Sequence, residues 1–144
     1  MAIAIRTAQT TWEGPLASGS GLIRMGSGAA GELPVTWAAR TERADRRTSP
    51  EELAAAAHSA CYAMALSLRL GTHKAVPERL AITATVTLDE AGGAPAIVSS
   101  HLEVTASIKA SFDAVISEAS ELCPVSRLFA GAKITVDATL EPAP

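Results

Sequence analysis

The sequence predicts an α+β fold in which an antiparallel β-sheet accompanies a long apolar helix. Hydrophobic residues make up 48% of the 144 residues and charged residues only 19%, so the chain can form a core and is not disordered. The run Leu53–Leu68 holds no charged residue and has the length of a helix. Strand-like segments precede this run, and segments that alternate apolar and polar residues follow it. This order of elements is typical of α+β domains.

The chain length predicts a single domain over residues 1–144, because no linker or repeat divides the sequence. Aromatic residues are only 3% of the chain, so alanine, valine, leucine and isoleucine must form the core. Small side chains bury little area each. We therefore expect a subunit interface to add to the buried surface.

Three short strands are predicted before the helix. They are Ile3–Glu13, Leu22–Met25 and Val35–Arg40, and a turn over Pro15–Gly21 separates the first two. The polar stretch Thr41–Thr48 then predicts a loop.

The helix has a clear start signal. Ser49 fits the N-cap, Pro50 the first helical position and Glu52 the third position of a capping box. We expect the helix to run to about Leu70 and to stop at Gly71. Because it is apolar nearly all round, it is predicted to be a central helix that is buried on most sides.

The C-terminal half predicts a hairpin, two helices and a last strand. The hairpin strands are Leu80–Leu88 and Ile97–Ile108, and a turn over residues 91–95 joins them. A helix over Ser111–Leu122, with Ser111 as its N-cap, precedes a short helix over Val125–Phe129. The last strand is Lys133–Leu140.

Composition excludes several classes of function. A net charge of −3 provides no basic surface for nucleic acid or an anionic membrane. Two cysteines are too few for a disulfide-rich scaffold or a four-cysteine zinc site, and the three histidines lack metal-ligand spacing, so no metal is expected.

Location is predicted from two segments. The N-terminus lacks a basic segment followed by a long apolar run, so it does not resemble a secretory signal. Leu53–Leu68 is rich in alanine and shorter than the roughly 20 strongly apolar residues that a membrane span needs. We expect a cytoplasmic protein, whose thiols are kept reduced.

Two cysteines and one histidine are the candidates for chemistry. Cys61 lies among alanines in the helix, as a small core residue or as a reactive thiol. Cys123 directly precedes Pro124, where a helix N-terminus lowers a thiol pKa, or it is a buried thiol at a helix end. His58, three residues before Cys61, is either the base of a Cys–His hydrolase or a buried histidine with a hydrogen-bond partner.

The segments around both cysteines resemble a known family. SPEELAAAAHSACYAMALS (Ser49–Ser67) and LCPVSRLFAGAKITVD (Leu122–Asp137) are similar to the two signature regions of the OsmC/Ohr family of thiol peroxidases. TWEG (Thr11–Gly14) and AARTE (Ala38–Glu42) resemble its OsmC branch. The resemblance implies an OsmC-like fold, with antiparallel β-sheets packed around a long central cysteine-bearing helix. It also implies an intertwined homodimer with active sites at the subunit interface.

The resemblance also implies roles for four residues. Cys61 matches the peroxidatic cysteine and Cys123 the resolving cysteine. Arg40 matches the active-site arginine, and Glu51 matches the acidic residue that pairs with it. The same loop holds three further arginines, Arg43, Arg46 and Arg47.

The implied reaction is the reduction of organic hydroperoxides, and of hydrogen peroxide less efficiently, in stress defence. Its reductant would be a dithiol such as a dihydrolipoyl protein, and no metal or organic cofactor is needed. The thiolate is the nucleophile, and burial raises a thiol pKa, so a cation such as Arg40 is required near Cys61. The alternative is a non-catalytic dimer of the same fold that senses redox state or binds a small molecule.

Helix geometry adds a hypothesis about the site. Ten residues separate Glu51 from Cys61. In one straight helix this is about 15 Å along the axis and roughly 80° around it. Either the helix is broken near its start, or Glu51 serves the Cys61 of a partner subunit, with two such helices antiparallel across a two-fold axis.

Overall fold

The computed structural model describes residues 1–107 and 113–141, and it has the predicted α+β composition. The chain divides into two compact units, Met1–Leu53 and Ala54–Pro144. A single domain over residues 1–144 stays a prediction. The elements are β1 (Ala8–Glu13), β2 (Ser20–Met25), β3 (Leu33–Val35), α1 (Trp37–Thr41), α2 (Pro50–Thr72), β4 (Arg79–Ala91), β5 (Ala94–Ser107), α3 (Asp113–Leu122), α4 (Pro124–Leu128) and β6 (Lys133–Glu141).

The first unit contains an antiparallel sheet in the order β1-β2-β3. β1 begins at Ala8, later than the predicted start at Ile3. At Gly21 of β2, an added Cβ would lie 2.9 Å from atoms of both Trp12 and Val35. A glycine there lets the side chains of the two neighbouring strands close over β2.

The predicted strand Val35–Arg40 is wrong, because a one-turn helix replaces most of it. Thr36 is extended, with φ −140° and ψ 162°, and its hydroxyl accepts a hydrogen bond from the Ala39 N–H at 3.1 Å. This N-cap bond satisfies a donor that the first turn of a helix leaves free. Arg40 therefore lies on α1 rather than on a strand.

The predicted start of α2 is confirmed. The Ser49 hydroxyl accepts a hydrogen bond from the Glu52 N–H at 3.1 Å, as an N-cap residue does. The Glu52 carboxylate accepts from the Thr48 hydroxyl at 2.8 Å. The predicted stop is wrong by two residues, since Gly71 lies inside the helix, which ends at Thr72.

The second unit contains a mixed sheet in the order β4-β5-β6. β4 and β5 form the predicted antiparallel hairpin. β6 pairs with β5 in parallel, so the prediction of antiparallel sheets is wrong for this one strand pair. The connection explains this direction, because α3 and α4 lie between β5 and β6. Such a crossover returns the chain to the end of the sheet where β5 began, so β6 runs in the same direction as β5.

The core of the second unit lies between α2, β5 and α3. The Tyr62 hydroxyl donates to the Ile116 carbonyl at 2.9 Å, which ties α2 to α3. The predicted N-cap Ser111 and the predicted strand end Ile108 lie outside the described residues. The buried core side chains are Tyr62, Ala65, Leu66, Leu70, Leu102, Val104, Ala106, Val115, Ala119 and Cys123.

One face of α2 packs in this core and another is exposed. The prediction that this helix is buried on most sides is wrong for a single chain. Only 28% of the most apolar 18-residue stretch of α2 is buried. By length and composition alone, α2 is long and apolar enough to cross a membrane. Core helices of soluble proteins can have the same length and composition. We call the exposed uncharged residues between positions 56 and 71 the α2 stripe: Ala56, Ala57, Ala60, Met64, Ser67, Leu68 and Gly71.

A substitution in the hairpin turn tests the turn geometry. Gly92 and Gly93 have φ values of +63° and +83°, and an added Cβ at either would meet nothing within 4 Å. Gly93→Ala is therefore expected to lower the free energy of unfolding through backbone strain alone, by about 1–2 kcal/mol. The control Gly31→Ala, with equal space and no positive φ, should change it by less than about 0.5 kcal/mol. Equal effects in urea unfolding would contradict this account of the turn.

Candidate active site

The fold brings together two thiols that lie 62 positions apart in sequence. Cys61 is on α2 and half-buried, whereas Cys123 precedes α4 and is 0% exposed. Both cysteines are free, and Cys123 is a close neighbour that acts on the Cys61 thiol. The sequence left open whether these cysteines meet, and they do so within the second unit. Cys61 is thus the more exposed of the two residues.

The surroundings of Cys61 act on its thiol in opposite directions. Burial is the largest influence and raises the pKa of the Cys61 thiol, and the adjacent Cys123 raises it further. The backbone N–H of Val125, in the first turn of α4, donates to the sulfur and lowers the pKa. Because the net shift is upward, these surroundings favour the thiol, and a thiolate at neutral pH needs an additional positive charge.

Arg40 and Glu51 form a close ion pair in the first unit. Arg40 Nε lies 3.0 Å from Oε1 and 3.2 Å from Oε2 of Glu51, and a terminal guanidinium nitrogen lies 2.8 Å from Oε1. Glu51 is buried, with 8% of its surface exposed. Among the other arginines of the loop, Arg47 bonds to Asp45 at an exposed position. The pairing of Arg40 with Glu51 is thus the one predicted, and α1 and the start of α2 position it.

An apolar cavity of about 200 Å³ lies beside Arg40 within the first unit. The guanidinium carbon of Arg40 is 5.9 Å from the ring centroid of Trp37, the range of a cation–π contact. Sequence reasoning missed this cavity, although both tryptophans of an aromatic-poor chain contribute to it. Its lining residues are Thr10, Trp12, Leu16, Ile23, Val35, Thr36, Trp37, Arg40 and Pro50.

His58 is buried and has a hydrogen-bond partner at each ring nitrogen. Nδ1 lies 2.6 Å from the Ser100 hydroxyl of β5, and Nε2 lies 2.8 Å from the Ser126 hydroxyl of α4. The hydrolase interpretation of His58 and Cys61 is therefore wrong, because both nitrogens are directed to serines. Burial also lowers the pKa of His58, so the ring is neutral at neutral pH. Sequence reasoning missed Ser100 and Ser126, which lie 42 and 68 positions from His58.

Within residues 1–107 and 113–141, no group of three or more histidine, cysteine, aspartate and glutamate side chains is placed to hold a metal ion.

The buried histidine predicts a pH dependence of stability. The folded-state pKa of His58 lies below 6.5, so the unfolded chain takes up the proton first as the pH falls. The stabilisation that the neutral His58 ring contributes is fully present above pH 6.5. It is lost as the pH falls towards the folded-state pKa of His58. We expect the free energy of unfolding, measured in urea at pH 8.0 and 5.5, to fall less between these pH values for His58→Asn than for the unsubstituted protein. Equal losses would contradict a neutral buried histidine.

Comparisons of sequence place the chain among proteins of one family. The family described as OsmC-like protein matches residues 43–139. The chain is 37% identical to peroxiredoxin OsmC of Escherichia coli K12 over 137 residues, which are 92% of this chain and 94% of that protein. Peroxiredoxin OsmC of Shigella flexneri matches with the same identity and coverage.

Comparisons of structure agree. The organic hydroperoxide resistance protein OhrB of Bacillus subtilis has a TM-score of 0.70 and 26% identity, over 94% of this chain and 98% of that one. An OsmC-like protein of unknown function from Vibrio cholerae shares the fold alone, with a TM-score of 0.75 and 12% identity, over 95% of this chain and all of that one. The predicted family resemblance is confirmed, and the chain belongs to the OsmC family.

Proposed function

We propose that this protein is a thiol peroxidase that reduces organic hydroperoxides, and hydrogen peroxide less efficiently, with Cys61 as peroxidatic and Cys123 as resolving cysteine. The observation that carries the proposal is the contact between the half-buried Cys61 thiol and the fully buried Cys123 thiol. Peroxide can reach the first thiol, and the second is held ready to react with the product. Peroxidase activity also accords with 37% identity to peroxiredoxin OsmC over nearly the whole chain.

The reaction cycle uses the two thiols in turn. The Cys61 thiolate attacks the peroxide, an S–O bond forms as the O–O bond breaks, and the alcohol leaves with a proton. Cys123 then attacks the sulfur of the Cys61 sulfenic acid, which forms the disulfide and releases water. A dithiol such as a dihydrolipoyl protein reduces the disulfide by exchange. Its attack falls on Cys61, since Cys123 is 0% exposed.

Arg40 is proposed as the cation that this cycle requires. Its guanidinium stays charged at working pH and presents several N–H donors in a fixed plane, so it can hold both a thiolate and a peroxide oxygen. The Glu51 carboxylate orients the guanidinium through three short contacts. It also balances the arginine charge, which would be costly to bury alone.

We assign the pair to the Cys61 of a partner subunit. Helix α2 is continuous from Pro50 to Thr72, so the ten residues between Glu51 and Cys61 extend about 15 Å along its axis. The α2 stripe supports a homodimer, because Met64 and Leu68 are 73% and 58% exposed and lie in a contiguous apolar surface. In such a dimer each active site at the interface draws on both chains.

The substrate class is proposed from the cavity beside Arg40. Its walls are mainly apolar and include Trp12, Trp37 and Leu16. A volume of about 200 Å³ suits the alkyl or aryl part of an organic hydroperoxide, because apolar pockets with one charged group are typical of small-molecule sites.

The protein is further proposed to act in the cytoplasm as one domain, in defence against oxidative or osmotic stress. The cytoplasm keeps thiols reduced, as the cycle requires of Cys61 and Cys123 between turnovers. A net charge of −3 favours neither nucleic acid nor an anionic membrane as a partner.

Cysteine substitutions test the proposed roles. With cumene hydroperoxide and a lipoyl dithiol, Cys61→Ser should abolish turnover, since serine is not a thiolate. Cys123→Ser should allow a single oxidation and then stall or over-oxidise, because the sulfenic acid has no resolving thiol. Turnover of the Cys61→Ser variant at the unsubstituted rate would refute the proposal. Absence of steady-state turnover in the unsubstituted protein would favour the non-catalytic alternative.

A complementation experiment tests the shared site. Arg40→Met and Cys61→Ser are each expected to be inactive as homodimers. After mixing and reassembly, about half of the dimers should be heterodimers with one intact site, which gives about a quarter of the unsubstituted activity. A control mixture of Cys61→Ser with the double variant Arg40→Met/Cys61→Ser should stay inactive. If the mixture of single variants also stays inactive although heterodimers form, Arg40 serves its own chain and the assignment fails.

A further inference from the structure

We infer that His58 is a positioning residue, which holds α4 against the cysteine helix so that the Cys123 thiol stays within reach of Cys61. The inference rests on the proposed function for its biological meaning, but its test does not require peroxide. It assigns a role to a buried polar side chain that the catalytic cycle does not use directly.

The contacts of His58 join three elements of the second unit. The side chain is 0% exposed and lies one helical turn before Cys61 on α2. Its two nitrogens bond to Ser126 of α4 and Ser100 of β5. Its ring packs against Phe129, the C-cap of α4, in a T-shaped arrangement with centroids 5.2 Å apart and an interplanar angle of 72°. One imidazole thus contacts α4 near its middle and at its end.

Helix α4 depends on such contacts for its position. It has five residues, far fewer than an isolated helix needs to be stable in water. Its N-cap residue is Cys123, which makes no side-chain capping bond, and Pro124 at its first position has no N–H to donate. Tertiary contacts must therefore fix this segment, and the bond from His58 to Ser126 is a polar one among them.

The position of α4 determines two contacts of Cys61. Cys123 immediately precedes α4 and supplies the neighbouring thiol. Val125, next to Ser126, supplies the backbone N–H that donates to the Cys61 sulfur. A displacement of α4 would move both groups together, so the bond at Ser126 acts on the thiol pair through the backbone of one short helix.

The available hydrogen-bond donors and acceptors explain why an imidazole suits position 58. A neutral ring has one donor and one acceptor nitrogen, and each serine hydroxyl can either donate or accept. Both nitrogens are therefore satisfied without charge in a buried place. Removing the His58 ring would leave the hydroxyls of Ser100 and Ser126 without their partner. Removing one of these hydroxyls breaks a single hydrogen bond and is therefore the milder change.

The test measures how readily the two thiols close into a disulfide. In a glutathione redox buffer, Cys61 and Cys123 lose two hydrogens as glutathione disulfide is reduced to two glutathione molecules. Ser126→Ala should lower the equilibrium constant for closure on the order of 3- to 10-fold for one lost hydrogen bond, and His58→Phe, which loses both hydrogen bonds, should lower it at least as much. Ser126→Thr keeps the hydroxyl and should restore the unsubstituted constant.

The matched control is Ser59→Ala, one residue from His58 on the same helix. The Ser59 hydroxyl bonds to the Ala56 carbonyl of its own helix at 3.0 Å, so its loss should leave the constant unchanged. An unchanged constant in folded Ser126→Ala would overturn the inference, as would an equal decrease in Ser59→Ala. If His58→Phe does not fold, Ser126→Ala and Ser126→Thr decide alone. Because the assay uses no peroxide, a protein without peroxidase activity would sink the proposed function and leave this inference intact.

Discussion

The candidate active site depends on the contact between the Cys61 and Cys123 thiols. This contact joins the middle of α2 to the start of α4, across 62 positions that include a hairpin and a helix. No local pattern can produce such a contact, so the core that packs α2 with β5 and α3 must hold it. A fully buried Cys123 beside a half-buried Cys61 also gives the two thiols different access to solutes.

The burial that creates this contact opposes the chemistry of a nucleophilic thiol. Burial and the neighbouring cysteine raise the pKa of Cys61, and the Val125 N–H offsets this only in part. Catalysis by a thiolate then calls for a cation, and the ion pair of Arg40 and Glu51 belongs to the other unit of the chain. The apolar stripe left exposed on the cysteine helix supports the proposal that a partner subunit supplies that pair.

The parts of the fold that the sequence predicted correctly are those with local signals. Ser49 marks the start of α2 through its side chain, and Gly92 and Gly93 permit the positive φ angles of the hairpin turn. The partnership of Arg40 with Glu51 was predicted from a family resemblance, and the ion pair is present.

The parts that were wrong or missed depend on distant or collective contacts. The helix that carries Arg40 has a single turn, too short for a periodic signal, and depends on the cap at Thr36. The direction of β6 is set by the crossover through α3 and α4 rather than by its own residues. Ser100 and Ser126 have no signal of their own, because their role exists only where the fold brings them to His58.

The proposed reaction requires that one peroxide oxidises one thiol pair within a chain. Mass analysis after addition of one equivalent of an organic hydroperoxide measures this. We expect a loss of two hydrogens per chain and one linked peptide pair that contains Cys61 and Cys123 of the same chain. A stable sulfenic or sulfinic acid on Cys61 with Cys123 still a free thiol, or a disulfide between chains, would contradict it.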